Sequence, residues 1–126
     1  MEPNNRRVLV VEDHQGLRYM CSIRLISAGY TVYGAENGLE ALEQMEKHPI
    51  DVVLTDYRMP KMDGLEFLSV CRVKWPGTPV VFLSGDDDNL AQEAVDRGAF
   101  AWVRKGSDFS ILLELIATAV QQSVHA

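Results

Sequence analysis

Cysteine, basic charge and long apolar runs are all scarce in this chain of 126 residues. The two cysteines, Cys21 and Cys71, fall in segments of helical periodicity without the paired spacing of a metal site, so they are read as small, reduced core residues. Lys and Arg number 12 against 18 Asp and Glu, a formal net charge of −6. That balance argues against direct contact with nucleic acid or an anionic membrane. No apolar run approaches the length that spans a bilayer. The opening MEPNNRR holds no signal-peptide core, and a cytoplasmic location is expected. No segment repeats, reads as a linker or is low in complexity. What is present is a globular composition, 47% hydrophobic and 24% charged, sufficient for one good core. A single domain over residues 1–126 is expected, with its core at about 7–122.

The chain is organised around IDVVLTDYRMPKMDG, residues 50–64. Val52, Val53 and Leu54 form an unbroken, β-branched apolar run, which suits a strand buried on both faces of a parallel sheet. The run stops at Thr55-Asp56, placing a carboxylate at the carboxyl end of a central strand, where ligands collect in open α/β sheets. Pro60 rules out a helix in the loop that follows, and Asp63 before Gly64 reads as the cap of the next helix.

The remaining segments alternate in the same way. Strands are predicted at Arg7 to Val11, Tyr30 to Tyr33, Val80 to Leu83 and Ala99 to Arg104. Helices are predicted from His14 to Ala28, Asn37 to Lys47, Gly64 to about Lys74, after Asn89 to Arg97, and from a Ser107 or Asp108 cap to about Gln122. In the first helix, Leu17, Met20, Cys21, Ile23, Leu25 and Ile26 are assigned to one broad buried face; in the second, Leu39, Leu42 and Met45 are. Five strands alternating with five helices predict an α/β, doubly wound, flavodoxin-like parallel sheet of order 2-1-3-4-5.

That order brings Glu12-Asp13, Asp56, Ser84 and Lys105 to adjacent strand ends. Three acids together repel one another, and a cation is needed to neutralise them. All-oxygen, carboxylate-rich ligation favours Mg2+ or Mn2+. Asp56 would then be a nucleophile toward a phosphoryl group, Lys105 would spread the charge of the transferring oxygens, and Ser84 would hydrogen-bond one of them.

With the acid pair in LVVEDH, the block DYRMPKMDG, Ser84 in VVFLSG and Lys105 closing FAWVRK, the chain resembles a response-regulator receiver domain of two-component signalling, of the chemotaxis-regulator type. The match runs from Arg7 to about Gln122. The resemblance implies a signalling switch, not an enzyme acting on a separate substrate. Asp56 would take a phosphoryl group from a histidine kinase or histidine phosphotransfer protein. Asp13, Asp56 and the main-chain carbonyl of Arg58 would hold Mg2+, with Glu12 acting through water. Ser84 and Trp102 would be the switch pair, changing the surface of the fourth helix, fifth strand and last helix. That surface would meet an output domain or a second copy. Arg58 and Asp86, two residues after the acceptor and two after the hydroxyl, would modulate dephosphorylation. The family's usual proline after the strand-five lysine is Gly106 here, and its usual Tyr or Phe at the switch position is Trp102.

The rival readings each lack a part. A phosphatase of the haloacid-dehalogenase type needs an acid two residues after its nucleophile, and Arg58 stands there. A flavodoxin needs a Ser/Thr/Gly-rich phosphate loop after the first strand, and none follows. A receiver that signals without phosphate would not need the intact set Glu12, Asp13, Asp56, Ser84 and Lys105. His14 is read as an exposed residue at a helix start, and Asp86-Asp87-Asp88 as acids complementing a helix dipole. In the last helix Leu112, Leu115, Ile116 and Ala119 form the core stripe, with Ile111 and Leu113 off it and open to a partner.

Overall fold

The computed structural model describes residues 6–85 and 88–123. Strands β1 (Arg7–Val11), β2 (Thr31–Ala35), β3 (Val52–Thr55), β4 (Val80–Ser84) and β5 (Ala101–Arg104) alternate with helices α1 (Gln15–Ser27), α2 (Gly38–Lys47), α3 (Gly64–Lys74), α4 (Ala91–Asp96) and α5 (Phe109–Gln122). A short 3₁₀ turn, Asp88–Leu90, precedes α4. The sheet runs β2-β1-β3-β4-β5 with every neighbouring pair parallel, the fold class expected from the sequence.

The continuous apolar strands follow from burial on both faces. Along β3 the side chains alternate: Val53 joins Leu9, Val11, Val80 and Phe82 under α2, α3 and α4. Val52 and Leu54 join Val8, Val10, Val81 and Val103 under α1 and α5. Each such side chain contributes about 1.5–3 kcal/mol on burial. The helices are capped as their sequences require. His14 Nδ1 accepts the Leu17 N–H at 3.1 Å, and Asn37 accepts the Glu40 N–H at 2.8 Å. Asp63 and Glu66 exchange two bonds in a capping box, and Asp108 accepts the Ser110 N–H at 3.0 Å. A cap of this kind is worth about 1 kcal/mol.

Several expectations are corrected. Only Cys21 and Leu25 of the apolar set in α1 are fully buried; Met20, Ile23 and Ile26 are 50%, 42% and 56% exposed. At 3.6 residues per turn these six cannot share one face, and the three exposed ones fall on the side away from the sheet. Leu39 in α2 is likewise exposed, and Ala41 takes the buried place beside Met45. Strand β2 extends to Ala35 because β1 offers a partner at every step, from Arg7 opposite Thr31 to Val11 opposite Ala35. Strand β5 starts later than expected: the Ala99 N–H turns back to the Ala94 carbonyl at 2.9 Å. In α5, Leu112, Ile116, Ala119 and Val120 are buried, and Leu115 is only partly so. Cys71 is fully buried, as expected, and its thiol is pushed up to about 12 by that burial.

The turn into α3 is tight. A Cβ at Gly64 would lie 2.6 Å from Phe82 Cε1 and 2.9 Å from Tyr57 Cα, so the β3–α3 loop closes onto the core only because residue 64 is glycine. Gly64→Ala is expected to lower the unfolding free energy by about 1–3 kcal/mol, as overpacking does. Gly85→Ala, where a Cβ meets nothing within 4 Å, should stay within about 0.5 kcal/mol of wild type. Urea denaturation of the two variants makes the comparison, and equal losses would show that the close approach at Gly64 is not a constraint.

Candidate functional site

Parallel strands carry their carboxyl ends to one edge. At that edge the Glu12 N–H donates to the Ala35 carbonyl at 3.0 Å, continuing the β1–β2 ladder past its last residue. The Asp56 N–H does the same with Val11 on the other side, also at 3.0 Å. The two side chains are therefore placed by sheet register and not by loop conformation. The third contributor enters from β5: the Lys105 N–H donates to the Ser84 carbonyl at 2.7 Å.

The Asp56 carboxylate is 7% exposed. Its Oδ2 accepts from Lys105 Nζ at 2.9 Å and its Oδ1 from the Arg58 N–H at 3.2 Å. Lys105 Nζ also lies 3.2 Å from Glu12 Oε1, bridging the two acids. Glu12 is buried; its Oε2 accepts the His14 N–H at 3.1 Å, and its main-chain carbonyl accepts from Arg18 Nη1 at 2.6 Å. Asp13 is exposed beside them. Glu12, Asp13 and Asp56 each offer a carboxylate oxygen, all three within 4.8 Å of one another.

The electrostatics follow from this crowding. Burial pushes the Glu12 carboxyl above its ordinary value, and the negative Asp56 adds to the rise against the bonds from His14 and Lys105. For Lys105, burial alone would lower the pKa, but the Asp56 hydrogen bond and the two neighbouring carboxylates outweigh it and the net direction is up. Glu12, Asp13 and Asp56 crowd three carboxylates into one place, and Lys105 bridges two of them. An all-oxygen set of this kind, open to water on the Asp13 side, fits a hard divalent cation that keeps part of its hydration shell.

Ser84 is fully buried at the end of β4. Phe82 pairs with Trp102 across β4 and β5, and the strand period of two puts Ser84 on the same face as Phe82. The Trp102 ring centroid lies 5.2 Å from that of Phe82 and 6.0 Å from that of Tyr57. Its Nε1–H is enclosed without an acceptor among the described residues, a deficit of about 1–3 kcal/mol in this arrangement. Gly106 has φ of +91°, which a proline ring could not adopt, so the loop after Lys105 follows its own course. Lys61 in the β3–α3 loop also has positive φ, +73°, a conformation non-glycine residues reach at a cost and often near functional sites.

Of the residues singled out from sequence, Glu12, Asp13, Asp56 and Lys105 come together, Ser84 adjoins them, and Arg58 meets Asp56 through its main chain. Trp102 sits against the core next to this group. Asp86 lies outside the described residues. Sequence reasoning missed Arg18, which reads as a solvated helix charge and whose reach to the Glu12 carbonyl depends on packing between α1 and the strand ends. It also missed Tyr57, placed by the closure of the loop over Gly64.

A family model described as response regulator receiver domain matches residues 8–117. The chain is 34% identical over 120 residues to the transcriptional regulatory protein GlrR of Escherichia coli (strain K12), covering 94% of this chain and 27% of GlrR. It thus spans about a quarter of that relative's length. Among solved structures it is similar to the chemotaxis response regulator CheY4 of Vibrio cholerae, with a TM-score of 0.84 and 33% identity over 92% of this chain and 99% of that one. It is similar as well to the response regulator protein TrrA of Thermotoga maritima in complex with Mg2+-BeF, with a TM-score of 0.84 and 29% identity over 90% and 98%.

A pH dependence follows from Glu12. Its folded pKa lies above the ordinary 4.5, so the folded chain holds this proton more tightly than the unfolded one. The stability it contributes is present in full below the unfolded pKa and is lost as pH rises through the folded one. In metal-free buffer, Glu12→Gln should therefore lose less stability than wild type as pH rises from about 4.5 toward 7. Urea midpoints across that range test it; parallel curves would mean that the carboxylate carries no such burden.

Proposed function

The chain belongs to the response regulator receiver domain family, the signalling switches of two-component systems, and we propose that Asp56 is its phosphoryl acceptor. One observation carries this reading: a nearly buried carboxylate at the end of the central strand, bonded by an ammonium at 2.9 Å, with two further acids beside it. The donor is a phosphohistidine of a histidine kinase or a histidine phosphotransfer protein. An Asp56 oxygen attacks phosphorus, the O–P bond forms, and the P–N bond breaks with its electron pair returning to the imidazole nitrogen. The nucleophile is a carboxylate oxygen, which gives up no proton in forming the O–P bond, so the step calls for no general base.

Each neighbour has a part. Lys105, already on Asp56, stabilises the negative charge spread over the transferring oxygens. Ser84 donates its hydroxyl hydrogen to one of them. Asp13, Asp56 and the Arg58 main-chain carbonyl would hold Mg2+ or Mn2+ directly, and Glu12 through water. When bound, that ion supplies positive charge that offsets both the clustered acids and the phosphoryl oxygens. Arg58 at the position where a phosphatase of the Asp-nucleophile type needs its acid supports a switch over that enzyme.

The switch itself is a population shift between two packings. Ser84 moves toward the phosphoryl oxygen, and Trp102, on the same face, answers the vacated space. The altered surface is that of α4, β5 and α5, where Val95 and Ile111 are exposed, and it meets an output domain or a second copy of the chain. By the family pattern, Arg58 and Asp86, two residues after the acceptor and two after the hydroxyl, lengthen the life of the acyl phosphate.

Incubation with acetyl phosphate or phosphoramidate and Mg2+ should add one phosphoryl mass to the wild type and none to Asp56→Asn; a labelled Asp56→Asn would move the acceptor elsewhere. In a Trp75→Phe background, phosphorylation or beryllium fluoride should shift Trp102 emission, and an unchanged spectrum would remove Trp102 from the switch. Cutting Arg58 and Asp86 back to Ala together should speed phosphate release from the purified phosphoprotein. A tenfold change needs only about 1.4 kcal/mol of barrier, and an unaltered rate would show that neither side chain guards the site.

A further inference from the structure

The main chain of Glu12 is held on both sides, and its carbonyl belongs to the Glu12–Asp13 peptide. Its strand side is fixed by its own N–H, which donates to the Ala35 carbonyl at 3.0 Å. Its other side is fixed by Arg18, whose Nη1 donates to the Glu12 carbonyl at 2.6 Å, a short, charge-assisted bond. The Arg18 stem reaches there across the bare backbone of β2: Cδ would lie 3.4 Å from a Cβ at Gly34. The Asp13 side chain, exposed at the end of this peptide, makes no hydrogen bond of its own among the described residues. The place from which it extends is set by the backbone that carries it, and the Arg18 bond at the Glu12 carbonyl restrains that backbone.

We propose that Arg18 is a positioning residue of the acceptor site, acting through the Glu12 carbonyl to aim Asp13 and Glu12 at the divalent cation. This rests on the reading of Asp56 as a phosphoryl acceptor with an acidic metal site. Groups that orient ligands from behind are worth about 10–100-fold in metal affinity. The charge of Arg18 works in the opposite direction. A cation near the acids repels Mg2+, so its removal by charge alone would tighten binding. Loss of aim and loss of charge therefore predict changes of opposite sign, and the sign of the measured change distinguishes them.

The test uses Arg18→Met, which keeps the stem over Gly34 and deletes the donors, and Arg18→Lys, which keeps a charge and one donor group. Mg2+ alone is titrated into each full chain, followed by the 1H–15N shifts of the Asp13 and Asp56 amides. The expected result is about tenfold weaker binding in Arg18→Met, with Arg18→Lys between it and wild type. At 0.5 M KCl, where charge effects are screened, the loss should persist. The rate of phosphorylation by phosphoramidate at saturating Mg2+ should return to within about threefold of wild type, because the defect lies in holding the ion. Binding in Arg18→Met as tight as or tighter than wild type would overturn the proposal. So would a rate that stays depressed at saturating Mg2+, or an Arg18→Lys variant no better than Arg18→Met. A wild type that binds Mg2+ but takes no phosphoryl group would sink the acceptor reading and leave the Arg18 comparison standing.

Discussion

Every strand of this sheet points the same way, and the chemistry of the molecule depends on that constraint. A parallel ladder sends the carboxyl ends of β1, β3, β4 and β5 to one edge, so residues far apart in sequence become neighbours there without any loop having to steer them. Lys105 and Asp56 are 49 positions apart and meet at 2.9 Å. The main-chain bonds from Glu12 to Ala35 and from Asp56 to Val11 show that the ladder runs right up to the functional side chains. A one-residue slip in β1 or β3 would move an acid to the opposite face of the sheet.

Such convergence has an electrostatic cost. Glu12 is buried, and its carboxyl is pushed up by desolvation and by the nearby negative Asp56. Lys105 offsets part of this by bridging Glu12 and Asp56, while Asp13 stands exposed beside them. The fold thus holds in reserve an affinity for positive charge, and an added dication or a chemically modified carboxylate would change the balance. The residues that would feel such a change first are the ones whose mutual repulsion the native packing already restrains.

The coupling outward runs through packing. Gly64 lets the β3–α3 loop close on Phe82 and Tyr57, and Trp102 lies at an angle beside both rings. Ser84, Phe82 and Trp102 share one face of adjacent strands, so a movement of the buried hydroxyl has the indole as a neighbour along that face. The enclosed indole N–H finds no acceptor among the described residues, which leaves this packing short of its best.

The local pattern of the chain was legible in its residues. Uninterrupted β-branched runs, caps at Asp63 and at Ser107 or Asp108, and acids or a lysine placed just beyond strands were enough to place the elements, their order in the sheet and the four groups that converge. These features depend on interactions between near neighbours in sequence and on the directionality of a parallel sheet. What only the tertiary structure decided was which of two apolar stripes on α1 meets the sheet, how far β2 follows β1, that Gly106 takes a backbone angle closed to proline, and that Arg18 reaches across Gly34 to the Glu12 carbonyl. In each of these cases the outcome depends on which surfaces are already occupied once the layers pack, and periodicity along a single helix or strand carries no record of its distant neighbours.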